Sequence, residues 1–189
     1  SHRRQRQMCI RDRYSVMHEM SKDIEGTVNY LQDINFTANL SDISIIGHST
    51  GGGSGHLYCL RNRCNKLILQ DPYFVPVVEK LSNIELKTDT YFIYSEDWYS
   101  NYENPEYTTE IQVYRNFLTN ESLAKGYYLT DSAHYDFVAF GAVSPLTKYT
   151  FLKGTIDYKD SIFINNKFNL QALQGEEITT SEFLKIASP

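Results

Sequence analysis

Asp42-Ile43-Ser44-Ile45-Ile46-Gly47-His48-Ser49-Thr50-Gly51-Gly52-Gly53-Ser54-Gly55 is the stretch on which the reading of the fold turns. Its first half is a short β-branched run, the composition of a buried strand, and it stops at Gly47. Its second half consists of glycine and small residues and leads into a helix-compatible run. Strand, tight turn, helix is the expected order. Gly47-His48-Ser49-Thr50-Gly51 also satisfies G-x-S-x-G in the context that gives this motif chemical meaning, a strand before it and a helix after it. Both glycines are expected to be steric requirements, because side chains two residues to either side of a strained serine would strike the neighbouring strand and helix. Such a turn lifts the Ser49 hydroxyl clear of the sheet and sets the Thr50 N–H at a helix start, beside any oxyanion that develops there.

Upstream, Val16, Met20, Ile24, Val28 and Leu31 recur every three or four positions and predict an amphipathic helix over residues 15–33, packed on a sheet. Downstream, Leu67-Ile68-Leu69, Tyr91-Phe92-Ile93-Tyr94 and Gly126-Tyr127-Tyr128-Leu129-Thr130 read as three more strands, with helical segments at 75–81 and 106–119 between them. Strands alternating with helices imply an α/β fold with a mainly parallel sheet flanked by helices. Ligands of such sheets gather at the carboxyl ends of the strands. The residues there are Ser49, Asp71, Ser95-Glu96-Asp97 and His134.

A serine hydroxyl needs a base to become a nucleophile, and the base needs a carboxylate to orient it. Of the five histidines, His2 lies in an atypical head, His18 on the first helix and His56 on the helix after Ser49. His48 adjoins the serine in sequence and is expected to point back into the sheet in a structural role. His134, after the fourth strand, is the candidate base. Two acids compete: Asp71 ends the strand after the Ser49 helix, and Asp97, or Glu96, ends the next. Spacing alone does not choose between them. The order serine, acid, histidine is that of the α/β-hydrolases.

Ile46-Gly47-His48-Ser49 with its glycine run, Leu69-Gln70-Asp71-Pro72-Tyr73-Phe74, His134-Tyr135-Asp136-Phe137, Ser144-Pro145-Leu146 and Leu152-Lys153-Gly154-Thr155-Ile156-Asp157 together make the chain similar to one family. It resembles the platelet-activating-factor acetylhydrolases of the lipoprotein-associated type and their bacterial relatives, over about residues 40–174. The serine turn is common to many hydrolases, whereas the His-x-x-Phe loop followed by Leu-Lys-Gly-x-Ile-Asp is more restrictive. The resemblance implies an α/β-hydrolase fold and a calcium-independent serine esterase that removes short or oxidised acyl chains from phospholipids. It also implies that the acid comes from the strand directly after the nucleophile helix, which selects Asp71. Thr50 stands where many members carry a larger apolar residue, so a different acyl pocket is expected.

Two other classes are open at this stage: a non-catalytic protein on a hydrolase scaffold, and a nucleotide-binding oxidoreductase. Strand, glycine-rich turn, helix and an acid about 20 residues on is also the dinucleotide fingerprint. However, a G-x-G-x-x-G run starting at Gly51 needs its third glycine where the chain has His56. The expected partner is therefore a small-molecule or lipid ester, with no cofactor and no obligate protein partner. The tyrosines at 91, 94, 99, 102 and 107, with Trp98, could equally form an acyl-binding wall, an interfacial membrane contact or ordinary packing.

Composition agrees with a folded domain: 189 residues, 41% apolar and 14% aromatic, with 18 basic against 23 acidic side chains. No apolar run approaches the roughly 18 residues of a spanning helix. Five of the eight arginines fall within residues 1–13. Residues 14–189, without those five arginines and Asp12, carry a net charge of −9, which argues against a nucleic-acid surface. Residues 1–13 have the character of a translated adapter or cloning scar, leaving 14–189 as the hydrolase domain. With only 14–42 ahead of the first strand, the chain is expected to be the carboxyl-terminal portion of a hydrolase, lacking the loop that supplies a second oxyanion donor. Cys59 and Cys64, five apart, are expected to point to different sides of a helix as buried free thiols. Neither they nor His18-Glu19 have a metal-ligand spacing, so no metal is expected.

Overall fold

A computed structural model describes residues 2–77, 85–101, 115–120, 122–139, 144, 146, 149 and 153–186, with backbone alone at 2–13 and 101. The architecture is α/β: a five-stranded, mostly parallel sheet flanked by helices. Helix α1 spans His2–Asp33, strand β1 Ile45–His48, helix α2 Thr50–Arg61, strand β2 Lys66–Gln70 and strand β3 Asp89–Ser95. A short helix α3 (Glu96–Asn101), strand β4 (Ala124–Leu129), helix α4 (Tyr158–Gln174) and strand β5 (Phe183–Lys185) complete the order. The expected helix over 15–33 is the second part of α1, whose backbone continues through residues 2–13.

Strand order is β1-β2-β3-β4-β5, parallel from β1 to β4 and antiparallel at β5. Alternation along the central strands feeds two cores. Leu67, Leu69, Phe92 and Tyr94 pack on one side with Met17, Tyr58 and Phe74, beneath α1 and α2. Ile68, Tyr91, Ile93 and Leu129 face the other way, against Ile164, Phe168 and Ala172 of α4. Both faces being covered explains why β2 and β3 read as continuous apolar runs.

Several expectations are corrected. The first strand runs to His48 rather than stopping at Gly47, because Gly47 and His48 pair with Leu69 and Gln70. Val75–Val77 forms a 3₁₀ turn, and the remainder of the helix expected over 75–81 lies outside the described residues. Of the helix expected over 106–119, residues 115–118 are helical and 106–114 lie outside them. Cys59 and Cys64 are not free thiols but a disulfide, Cα–Cα 5.4 Å. Helix α2 ends at Arg61 and Asn62 turns to extended backbone, so Cys64 leaves the helix and folds back on Cys59.

Candidate active site

β1 delivers Ser49 into a turn that L-residues rarely adopt, with φ 53° and ψ −123°. The backbone holds this strained residue from both sides. Ser49 N–H donates to the Gln70 carbonyl at 3.0 Å, and the Ser49 carbonyl accepts from Gly52 N–H and Tyr73 N–H, both at 3.0 Å. A Cβ on Gly47 would stand 2.6 Å from the Gly51 carbonyl oxygen, so only glycine fits there. At Gly51 the expectation fails: among the described residues nothing lies within 4 Å of an added Cβ. The close approach falls instead on the following helical turns, where a Cβ on Gly53 would meet the Tyr73 carbonyl oxygen at 2.7 Å. Helix α2 begins at Thr50, so Gly51 to Gly55 are helical and do not form a phosphate-cradling loop. The same start makes the Thr50 N–H one of the helix's orphan donors.

Asp71 follows β2 with φ 40° and is fully buried. Ser95 donates to it twice, by N–H to Oδ1 and by Oγ–H to Oδ2, each at 2.6 Å. Burial pushes the Asp71 carboxyl above its ordinary range, and the hydrogen bonds from His134 and Ser95 oppose that push. His134 opens a 3₁₀ turn, His134–Phe137, after β4. Its Nδ1 lies 3.2 Å from Asp71 Oδ2 and its Nε2 lies 3.0 Å from Ser49 Oγ. Of the two competing carboxylates, Asp71 is the one within hydrogen-bond reach of the imidazole. Asp97 enters through its main chain, donating N–H to the Ser132 carbonyl at 3.1 Å.

The tail motif buttresses the His134 loop. Gly154 N–H and Ala133 N–H both donate to Asp136 Oδ2, at 2.7 and 2.9 Å, and the Lys153 ammonium pairs with Asp136 Oδ1 at 2.7 Å. Asp136 is fully buried and Lys153 nearly so. A Cβ on Gly154 would stand 2.6 Å from Ser132 Cα, so glycine lets the strap press against the residues preceding His134. Lys153 also donates to the Ile156 carbonyl, drawing the strap into a turn.

His48 does not point back into the sheet. β1 turns Ile45 and Gly47 toward α2, and by alternation His48 projects to the opposite side, where the His134 loop lies. The two imidazoles are 4.4 Å apart and His48 Nε2 is 2.9 Å from the His134 carbonyl oxygen. Trp98 also stacks on His134, ring centroids 4.9 Å apart. Sequence reasoning gives Ser95 and the Asp136–Lys153 pair no individual role, and Trp98 only a place in a candidate aromatic wall. Their positions after strands or within the tail motif were the available signal.

Over residues 15–187 the chain matches the family model described as platelet-activating factor acetylhydrolase, isoform II. The chain belongs to that family. Membership makes it an esterase- or lipase-like hydrolase of an α/β-hydrolase family, and the family implies a lipid ester as substrate. No curated protein matches the chain.

Proposed function

We propose that this acetylhydrolase-family protein is a serine carboxylic-ester hydrolase that works through an acyl-enzyme. The observation that carries the reading is the continuous chain Ser49 Oγ, His134 Nε2, His134 Nδ1, Asp71 Oδ2, at 3.0 and 3.2 Å. Ser49 Oγ attacks the ester carbonyl while its proton passes to His134 Nε2. Asp71 accepts from Nδ1–H, which fixes the tautomer and faces the imidazolium once it forms. The developing oxyanion meets the Thr50 N–H at the start of α2. Collapse expels the alcohol, which takes the proton from His134. Water then gives a proton to His134 and adds to the acyl carbon, and the second intermediate collapses to the carboxylic acid as Ser49 Oγ leaves and takes that proton back from His134. Family membership supports a phospholipid with a short or oxidised acyl chain as substrate.

The test is labelling by a fluorophosphonate probe, read by peptide mass spectrometry beside Ser49→Ala. Labelling confined to Ser49 is expected, and a folded wild-type chain that takes up no label refutes the reading. Phosphatidylcholines graded from acetyl to palmitoyl at one position then test the substrate class. Hydrolysis should fall as the chain lengthens, and a preference for palmitoyl would overturn the short-chain assignment.

A further inference from the structure

We infer that His48 is a positioning residue for His134, holding the main chain of the base through a hydrogen bond from its Nε2–H to the His134 carbonyl. The inference rests on the reading of Ser49 and His134 as nucleophile and base. A carbonyl oxygen only accepts, so the 2.9 Å contact makes His48 Nε2 the donor and leaves Nδ1 unprotonated in the neutral ring. Burial, with the neighbouring His134 second, lowers the His48 pKa to about 4, so the ring stays neutral near pH 7. His48 therefore offers no positive charge to compete with His134 for the Asp71 carboxylate.

The carbonyl of His134 matters because it is the hinge of the base's own residue. The segment is fixed ahead of His134 by the Asp136 carboxylate, through Ala133, and behind it by Asp136 N–H on the Ala133 carbonyl at 2.9 Å. Between these anchors the His134 peptide is held by a side chain from β1, the same strand that delivers Ser49. One rigid strand end thus sets both partners of the 3.0 Å contact. The imidazole itself packs against both His48 and Trp98. Among the described residues, the groups facing it are Asp71 from the end of β2, Ser49, His48, Trp98 from α3 and the adjacent Tyr135 ring at 5.7 Å.

The experiment compares wild type, His48→Gln and His48→Met. Gln and Met are nearly equal in length and shape, and only Gln can donate to the carbonyl. Rates of fluorophosphonate labelling at Ser49 are measured across pH, with thermal midpoints as a control for folding. His48→Met should label roughly 10- to 10²-fold more slowly, the cost of an imprecisely held reactive group, and His48→Gln should recover most of the rate. Equal rates in Met and wild type, or a Gln variant as slow as Met, overturn the inference.

A second readout is independent of nucleophilicity. Trp98 is the single tryptophan of the chain, and its indole stacks on the His134 ring, so its emission at a fixed neutral pH reports where that ring sits. Emission should be the same in wild type and His48→Gln and should change in His48→Met as the base swings from its seat. Identical emission in all three refutes positioning, even if wild type takes up no label at Ser49. That last result would count against the nucleophile reading alone.

Discussion

His56 sits in the interior at 1% exposure against Phe74 and Phe117, and neither ring nitrogen has a hydrogen-bond partner among the described residues. Burial lowers its pKa from 6.5 to about 4. The folded chain therefore resists protonating a ring that the unfolded chain protonates readily. Below pH 6.5 the unfolded state binds the extra proton, so stability falls as pH falls, and the loss levels off once the native ring also titrates near 4. At about 1.36 kcal/mol per tenfold change in proton affinity, the full interval amounts to about 3 kcal/mol. Most of it, about 2.5 kcal/mol, is lost between about pH 7.5 and about pH 4.5. Leucine is apolar and close in size, so His56→Leu should remove this dependence while keeping the core filled. Urea unfolding of both chains at the two pH values measures it, with the carboxylates common to both cancelling in the difference. The variant should lose about 2.5 kcal/mol less than wild type on acidification. Parallel losses in the two chains would refute the argument, because His56 would then be protonated or hydrated in the folded protein.

Asp71→Asn should leave the fold intact and slow labelling of Ser49 by about 10⁴-fold, since an amide favours the wrong imidazole tautomer; a rate within tenfold of wild type would argue for another acid, with Asp97 next to be replaced. Ser95→Ala removes one donor from a fully buried carboxylate and should cost about 2 kcal/mol in urea unfolding, with slower labelling; unchanged stability would mean that water replaces the hydroxyl. Lys153→Met strands the buried Asp136 charge and should cost about 3–5 kcal/mol, seen as a large drop in thermal midpoint; a drop of only a degree or two would contradict a buried pair. Alkylation of the denatured, unreduced protein should modify Cys9 alone, and all three cysteines after reduction; prior modification at Cys59 or Cys64 would contradict the disulfide.

The strands, and the residues at their ends that meet as Ser49, Asp71 and His134, were legible because each depends on local composition: a β-branched run, a glycine turn, an acid or histidine directly after a strand. α4 escaped notice for a definite reason. Its buried stripe is Ser161, Ile164, Asn165, Phe168 and Ala172, helical in spacing but with two polar members, so apolar periodicity understates it. β5 is three residues long and exists through its pairing with β4. The choice between Asp71 and Asp97 was not open to spacing, since both follow strands. Three-dimensional packing separates them, burying Asp71 and presenting it to His134. His48 was misread because its orientation depends on the strand running two residues beyond Ile46, which pairing with β2 determines. The cysteines were misread because a helix was assumed to continue through both.

Each strand from β1 onward lies beside the strand that follows it in the chain. Such an arrangement can grow by accretion at one edge, in the order of synthesis, without any strand inserting between two already paired. Ser49 and Asp71 would then be in place while His134, 85 and 63 residues further on, is still unmade. A nascent chain would carry the Ser49 hydroxyl and the Asp71 carboxylate without the imidazole that bridges them. The strap at Gly154, which presses the His134 loop home, comes later still, so under the proposed function reactivity at Ser49 becomes a record of how far assembly has gone.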